Sequence, residues 1–98
     1  MNSYINDPNF TRIVDYQIPE QININAGTNG FCSLPSSVVP TGYQLTSFRI
    51  KSDHIPAKTH FIPWVSDYEG YRLNFFNIVG QNSYVPANTT AKLLFVKS

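Results

Sequence analysis

The sequence predicts an all-β fold, one antiparallel β-sandwich of jelly-roll type in a single domain, on three observations. Five glycines and seven prolines are spread so that they interrupt every segment before it reaches ordinary helix length. Between these breaks the residues alternate apolar and polar, or form short β-branched and aromatic runs, which is the period and composition of strands. Turn signals recur at short spacing with no internal repeat of about 20–50 residues, which suits a sandwich and excludes a solenoid or propeller. At 98 residues, 42% hydrophobic and 14% aromatic, the chain carries enough apolar material for one packed core and too little for two.

Six or more strands are expected, taken here in chain order. Residues 1–9 lack periodicity and read as an arm, leaving 10–98 as the sandwich domain. In 10–18, Phe10, Val14, Tyr16 and Ile18 share one face, Arg12 reaches solvent at an edge, and Pro19 ends the ladder. Clean alternation at 22–25 is followed by two glycines and an asparagine at 26–30, which reads as a hairpin into 31–34. Pro35, Pro40 and Gly42 mark an ordered crossing loop whose Val38 and Val39 plug the end of the core. In 43–51 the apolar set shifts from Tyr43 and Leu45 to Phe48 and Ile50, so a bulge is expected near Ser47.

A loop at 53–58 leads to a strand at 59–65 whose Pro63 assigns it to a sheet edge. The strongest strand signal is 71–79, expected to be central, with Tyr71, Leu73, Phe75 and Val79 inward and Arg72 and Asn74 opposite. Residues 80–89 read as a turn, and 91–97 as an apolar strand covered on both sides. The expected core includes Leu73, Phe75, Val79, Leu93 and Phe95.

Composition narrows the function. Charged residues are 13% of the chain, about half the usual share, against 10 Asn, 9 Ser, 7 Thr and 4 Gln. A net charge of +1 offers no reservoir for neutralising phosphates, so nucleic acid is not an expected partner. No basic amphipathic segment or bilayer-length apolar run exists, and the start has no basic or apolar leader, so neither membrane nor signal peptide is expected. The single cysteine, Cys32, follows Phe31 in an apolar strand pattern and reads as a core thiol that leaves assembly in a reducing cytosol open.

No catalytic residue, metal or cofactor is expected. Neither Cys32 nor any serine sits in a nucleophile motif with His54 or His60. Asp53, His54, His60, Asp67 and Glu69 fall close together, but their spacing matches no ligand signature. Asp67 and Glu69, two apart in a turn, project to solvent rather than across a cleft. One constellation suits ligand binding: Trp64, Tyr68 and Tyr71 bracket a loop that carries Asp67, and aromatic faces beside a carboxylate fit a pyranose and its hydroxyls. The plainer reading makes Trp64 and Tyr71 core or interface aromatics. Two matches to the glycosylation sequon, at Asn9 and Asn88, are expected by chance in a chain so rich in Asn, Ser and Thr.

Ala26-Gly27, then Pro40-Thr41-Gly42-Tyr43, then the aromatic stretch 74–77, then Thr89-Thr90 before the apolar run 93–96 follow one another in an order that resembles the small β-sandwich domains of phage and prophage tail fibres and other virion appendages. The resemblance covers residues 20–97 and rests on order and turn chemistry. It implies a non-enzymatic virion surface protein, assembled in the host cytoplasm, acting as a homo-oligomer, most often a trimer, that docks to other virion proteins and sometimes contacts host glycans. No shared catalytic residue comes with it. Such domains usually end a long fibre protein, whereas here Met1 opens a polar arm with no fibrous stem; a stand-alone decoration or fibre-tip subunit, or an excised domain, accounts for the departure. The expected function is therefore self-association and docking as a fibre, appendage or decoration subunit, with a carbohydrate-binding (receptor-binding) module as the alternative.

Overall fold

Eight strands form where the sequence alternates: β1 (Thr11–Gln17), β2 (Ile22–Ile24), β3 (Asn29–Ser33), β4 (Tyr43–Ile50), β5 (Phe61–Asp67), β6 (Tyr71–Asn77), β7 (Ser83–Val85) and β8 (Thr90–Lys97). They are taken from a computed structural model that describes residues 10–50 and 61–98. The expected arm at 1–9, the loop at 53–58 and the ends of the two strands that flank it lie outside the described residues. Two three-stranded antiparallel sheets, ordered β1-β8-β4 and β3-β6-β5, and the short pair β2-β7 make an all-β sandwich in one domain.

The pairing is nested. β1 runs against β8, β2 against β7 and β3 against β6, so the first third of the described chain forms one ribbon with the last third. Register carries through from Gln17↔Thr90 to Ile22↔Val85 and Ile24↔Ser83 without a slip, then shifts by two residues before Asn29↔Phe76. This nesting is the jelly-roll signature expected from the sequence. β4 joins the free side of β8 and β5 the free side of β6.

Inward-facing alternation fills the space between the sheets. Leu73, Phe75, Leu93, Phe95, Ala91 and Ile18 are fully buried, and each large apolar side chain so removed from water contributes roughly 1.5–3 kcal/mol. Phe75 is the hub: its ring meets Phe48 edge-on at 5.3 Å and Phe61 at 6.1 Å between centroids. Four of the five expected core residues are in this layer. Val79 is half-buried beyond the end of β6, and Asn77 takes the last inward position instead. Its amide donates to the carbonyls of Ile24 (3.1 Å) and Gln81 (2.9 Å) and accepts from the Val79 N–H (3.0 Å), which is why a polar group is tolerated there.

Several expectations hold in detail. β6 is central and β5, with Pro63, lies at an edge where a missing N–H costs no ladder bond. The register of β4 on β8 shifts between Leu45 and Ser47, so Leu45 and Phe48 both face the core across the bulge. Val38 and Val39, beside a 3₁₀ turn at Ser36–Val38, pack on the core.

Four expectations are corrected. Residues 26–30 do not make a hairpin: β2 and β3 lie in different sheets, and the turn is a corner between them. Gly30 shows the reason, since a Cβ there would stand 2.6 Å from Ile24 Cγ1, so β2 crosses over β3 instead of pairing beside it. The span 80–89 is not only a turn, because Ser83–Val85 supplies the partner of β2 and buries Val85. β8 is not covered on both sides: Ala91, Leu93 and Phe95 are buried while Lys92 is exposed and Leu94 and Val96 are half-buried. Phe10 precedes β1 and is exposed rather than on the inner face.

Candidate functional site

The outer face of β3-β6-β5 is set by parity. Because successive side chains alternate, the register arranges three rows across the sheet: Asn29, Phe76 and Ile62; Phe31, Asn74 and Trp64; Ser33, Arg72 and Ser66. Phe31, Ile62, Trp64 and Phe76 remain substantially exposed, Phe31 and Trp64 each at 46%. Between the latter two, Asn74 is only 3% exposed.

A polar network holds the middle row rigid. Trp64 Nε1 donates to Asn29 Oδ1 at 2.9 Å, and Asn29 Nδ2 donates to Asn74 Oδ1 at 3.0 Å. Asn74 Nδ2 in turn donates toward Ser66 Oγ (3.0 Å), the Arg72 carbonyl (3.2 Å) and the Trp64 carbonyl (3.3 Å). Every polar atom of Asn74 is thereby used, so its burial carries no unpaired cost. The indole is anchored at its polar edge while its apolar ring faces solvent.

Arg72 stands in the next row. Its guanidinium carbon lies 4.5 Å from the centre of the Phe31 ring and 5.5 Å from that of Tyr68, a cation–π arrangement that fixes a group otherwise free to rotate. Among the described residues the one ion pair is Lys92 with Asp15, on the other sheet. No carboxylate of the described residues therefore takes up the in-plane N–H donors of Arg72.

The four residues expected to bind a ligand divide between two places. Trp64 and Tyr68 belong to the outer face, with Tyr68 in the β5–β6 turn, where Glu69 (φ 53°) and Gly70 (φ 106°) adopt left-handed backbone. Asp67 and Tyr71, paired at the end of the β5–β6 ladder, line a separate open cleft of about 380 Å³ with Tyr43, Leu34 and Val39. The structure therefore does not bring Asp67 against the Trp64 ring. Of the five candidate metal ligands, Asp53, His54 and His60 lie outside the described residues, and Asp67 and Glu69 are exposed.

Cys32, on β3, is half-buried and packs on the core; burial pushes its thiol up to about 11, so it stays protonated at neutral pH. Sequence reasoning missed Asn29, Phe31, Asn74 and Arg72 as parts of one surface. Parity could have united Arg72, Asn74 and Trp64, but nothing local links them to β3. No family model, curated protein or solved structure matches the chain.

Proposed function

We propose that this chain is a non-enzymatic surface domain of a bacteriophage virion appendage, and that it works by docking a carbohydrate on the outer face of β3-β6-β5. The anchored Trp64 carries this reading. An exposed indole held at its Nε1 by Asn29, with Asn29 held by Asn74, loses little freedom when a ring stacks on it, and such pre-organisation is what gives a shallow site its affinity. Ser66 beside it on β5 and the Asn29 amide at its Nε1 add neutral polar groups of the kind that sugar hydroxyls use. The virion assignment is supported by the sandwich fold together with the turn order that resembles appendage domains.

The test is glycan binding by the purified chain. Trp64→Ala abolishes binding while the strand-type dichroism spectrum persists; undiminished binding by that variant removes the reading, as does absence of the chain from assembled particles.

A second reading, self-association as a homo-oligomer, has its own observation. Ile62 and Phe76 pair across β5 and β6 at the far end of the same face, with exposed Ile78 just beyond, and contiguous apolar exposure marks contact surfaces. Light scattering decides it: a trimer or other multiple of 11.1 kDa that falls to the monomer mass in Ile62→Ser supports assembly through this corner.

A further inference from the structure

We infer that the saccharide recognised on this face is acidic, with its ring on Trp64 and its carboxylate on Arg72. The inference rests on the carbohydrate reading and adds the class of ligand. Trp64 lies opposite Asn74 and Ser66 lies opposite Arg72, so Trp64 and Arg72 are diagonal neighbours across β5 and β6. Diagonal residues on one sheet face stand about 7–8 Å apart at the backbone, so the two side chains share one patch of the size of a single hexopyranose bearing a carboxylate.

The charge balance points the same way. Arg72 is held between Phe31 and Tyr68, and no carboxylate of the described residues pairs with it. Asp67, at the end of β5, instead lines the cleft with Tyr71 and Tyr43. A guanidinium whose carbon lies 4.5 Å from one ring centre and 5.5 Å from another still carries a planar fork of donors, the geometry that receives a carboxylate through two hydrogen bonds. A neutral sugar offers that fork only uncharged hydroxyl acceptors, whereas an acidic one meets both halves of the site, the apolar ring and the cation.

The experiment uses the full chain and matched pairs of oligosaccharides, sialate- or uronate-bearing against their methyl esters, which keep the rings and lose the charge. Immobilised pairs are screened first, and binding is then measured in solution by the emission of Trp64, the single tryptophan. Tetraglutamate serves as a peptide carrying the same functional group. The expected result is binding of acidic members, weakened roughly 10- to 100-fold in the ester, with Arg72→Gln erasing the difference at an unchanged melting temperature. Equal binding of acid and ester leaves the carbohydrate reading standing and overturns this one, as does an Arg72→Gln variant that still discriminates. Binding of tetraglutamate alone makes the face a dock for acidic protein and overturns both, and a folded chain that binds no member also overturns both.

Discussion

The two three-stranded sheets turn opposite patterns to solvent. On β1-β8-β4 the central strand offers aliphatic Leu94 and Val96, both half-buried, with mostly polar flanks: Asp15 pairs with Lys92 at 3.0 Å, Arg49 stands beside Lys92, and Ser47 and Ile13 flank Leu94. On β3-β6-β5 the middle strand carries Arg72 and Asn74 beside Phe76, and Phe31, Ile62 and Trp64 stand on the flanking strands. A sheet centre is the best-shielded strip of its surface, so hydrocarbon belongs there if stability alone sets the pattern. The first face follows that rule. The second buries an amide, Asn74, in the shielded strip next to Phe76 and leaves Phe31 and Trp64 exposed at the margin, an arrangement that makes sense as a contact surface with a polar floor.

Four measurements break or sharpen this contrast. The largest effect belongs to the layer beneath the outer face: Phe75→Ala is expected to cost about 3–5 kcal/mol in denaturant unfolding, and a cost within error means that the faces of β6 have been reversed. Next, Asn74→Ala should cost about 1–3 kcal/mol, because it removes a buried amide that accepts from Asn29 Nδ2 and donates to Ser66 Oγ. The same variant should shift Trp64 emission to the red and lower its anisotropy. If neither stability nor emission changes, the network does not hold the indole and the contrast disappears. On the opposite sheet, Lys92→Ala should fall within about 0–1 kcal/mol, since the pair with Asp15 is exposed and screened by water and salt. A loss as large as that of Asn74→Ala would put equal weight on the two outer faces.

The smallest effect at neutral pH is that of the inner side of β3, where a pH dependence sets in only under alkaline conditions. The Cys32 thiol is raised from 9.0 to about 11 by burial, so the unfolded chain ionises before the folded one does. Its contribution to stability is full below pH 9 and is lost as pH rises through about 11. Cys32→Ala should flatten that part of the stability profile, and alkylation of the folded wild-type thiol at pH 8 should be slow relative to the denatured chain.

What was legible in the sequence was local. The alternation at 71–77 and the proline at 63 are enough to make β6 central and β5 an edge, and the parity change between Leu45 and Phe48 is enough to locate a bulge. The corner at 25–28 was not legible, because hairpin and corner share the same turn chemistry and the choice depends on where Ile22 and Ile24 meet Gly30. Half of the outer face was visible as an aromatic cluster around Trp64. Strict alternation separates Trp64 and Tyr68 from Asp67, which a reading of the stretch as one loop obscures. Asn29 and Phe31 come from more than thirty residues upstream, and no pattern near Trp64 signals their arrival.

The nested ribbon has a kinetic consequence. Among the described residues β1 pairs with β8 alone, so β1, made early, finds that sheet neighbour only after β8 has been synthesised. The loop closed by Thr11↔Val96 spans nearly the whole described chain, and its entropy must be met before that contact returns anything. Folding is therefore expected to start at the β5–β6 hairpin, where Asp67↔Tyr71 closes the shortest loop, and to run outward through β3, then β2 and β7, to β1 and β8. Until the outermost pair closes, β1 is an unpaired strand open to a neighbouring chain, so slow refolding and concentration-dependent strand exchange belong to the same topology.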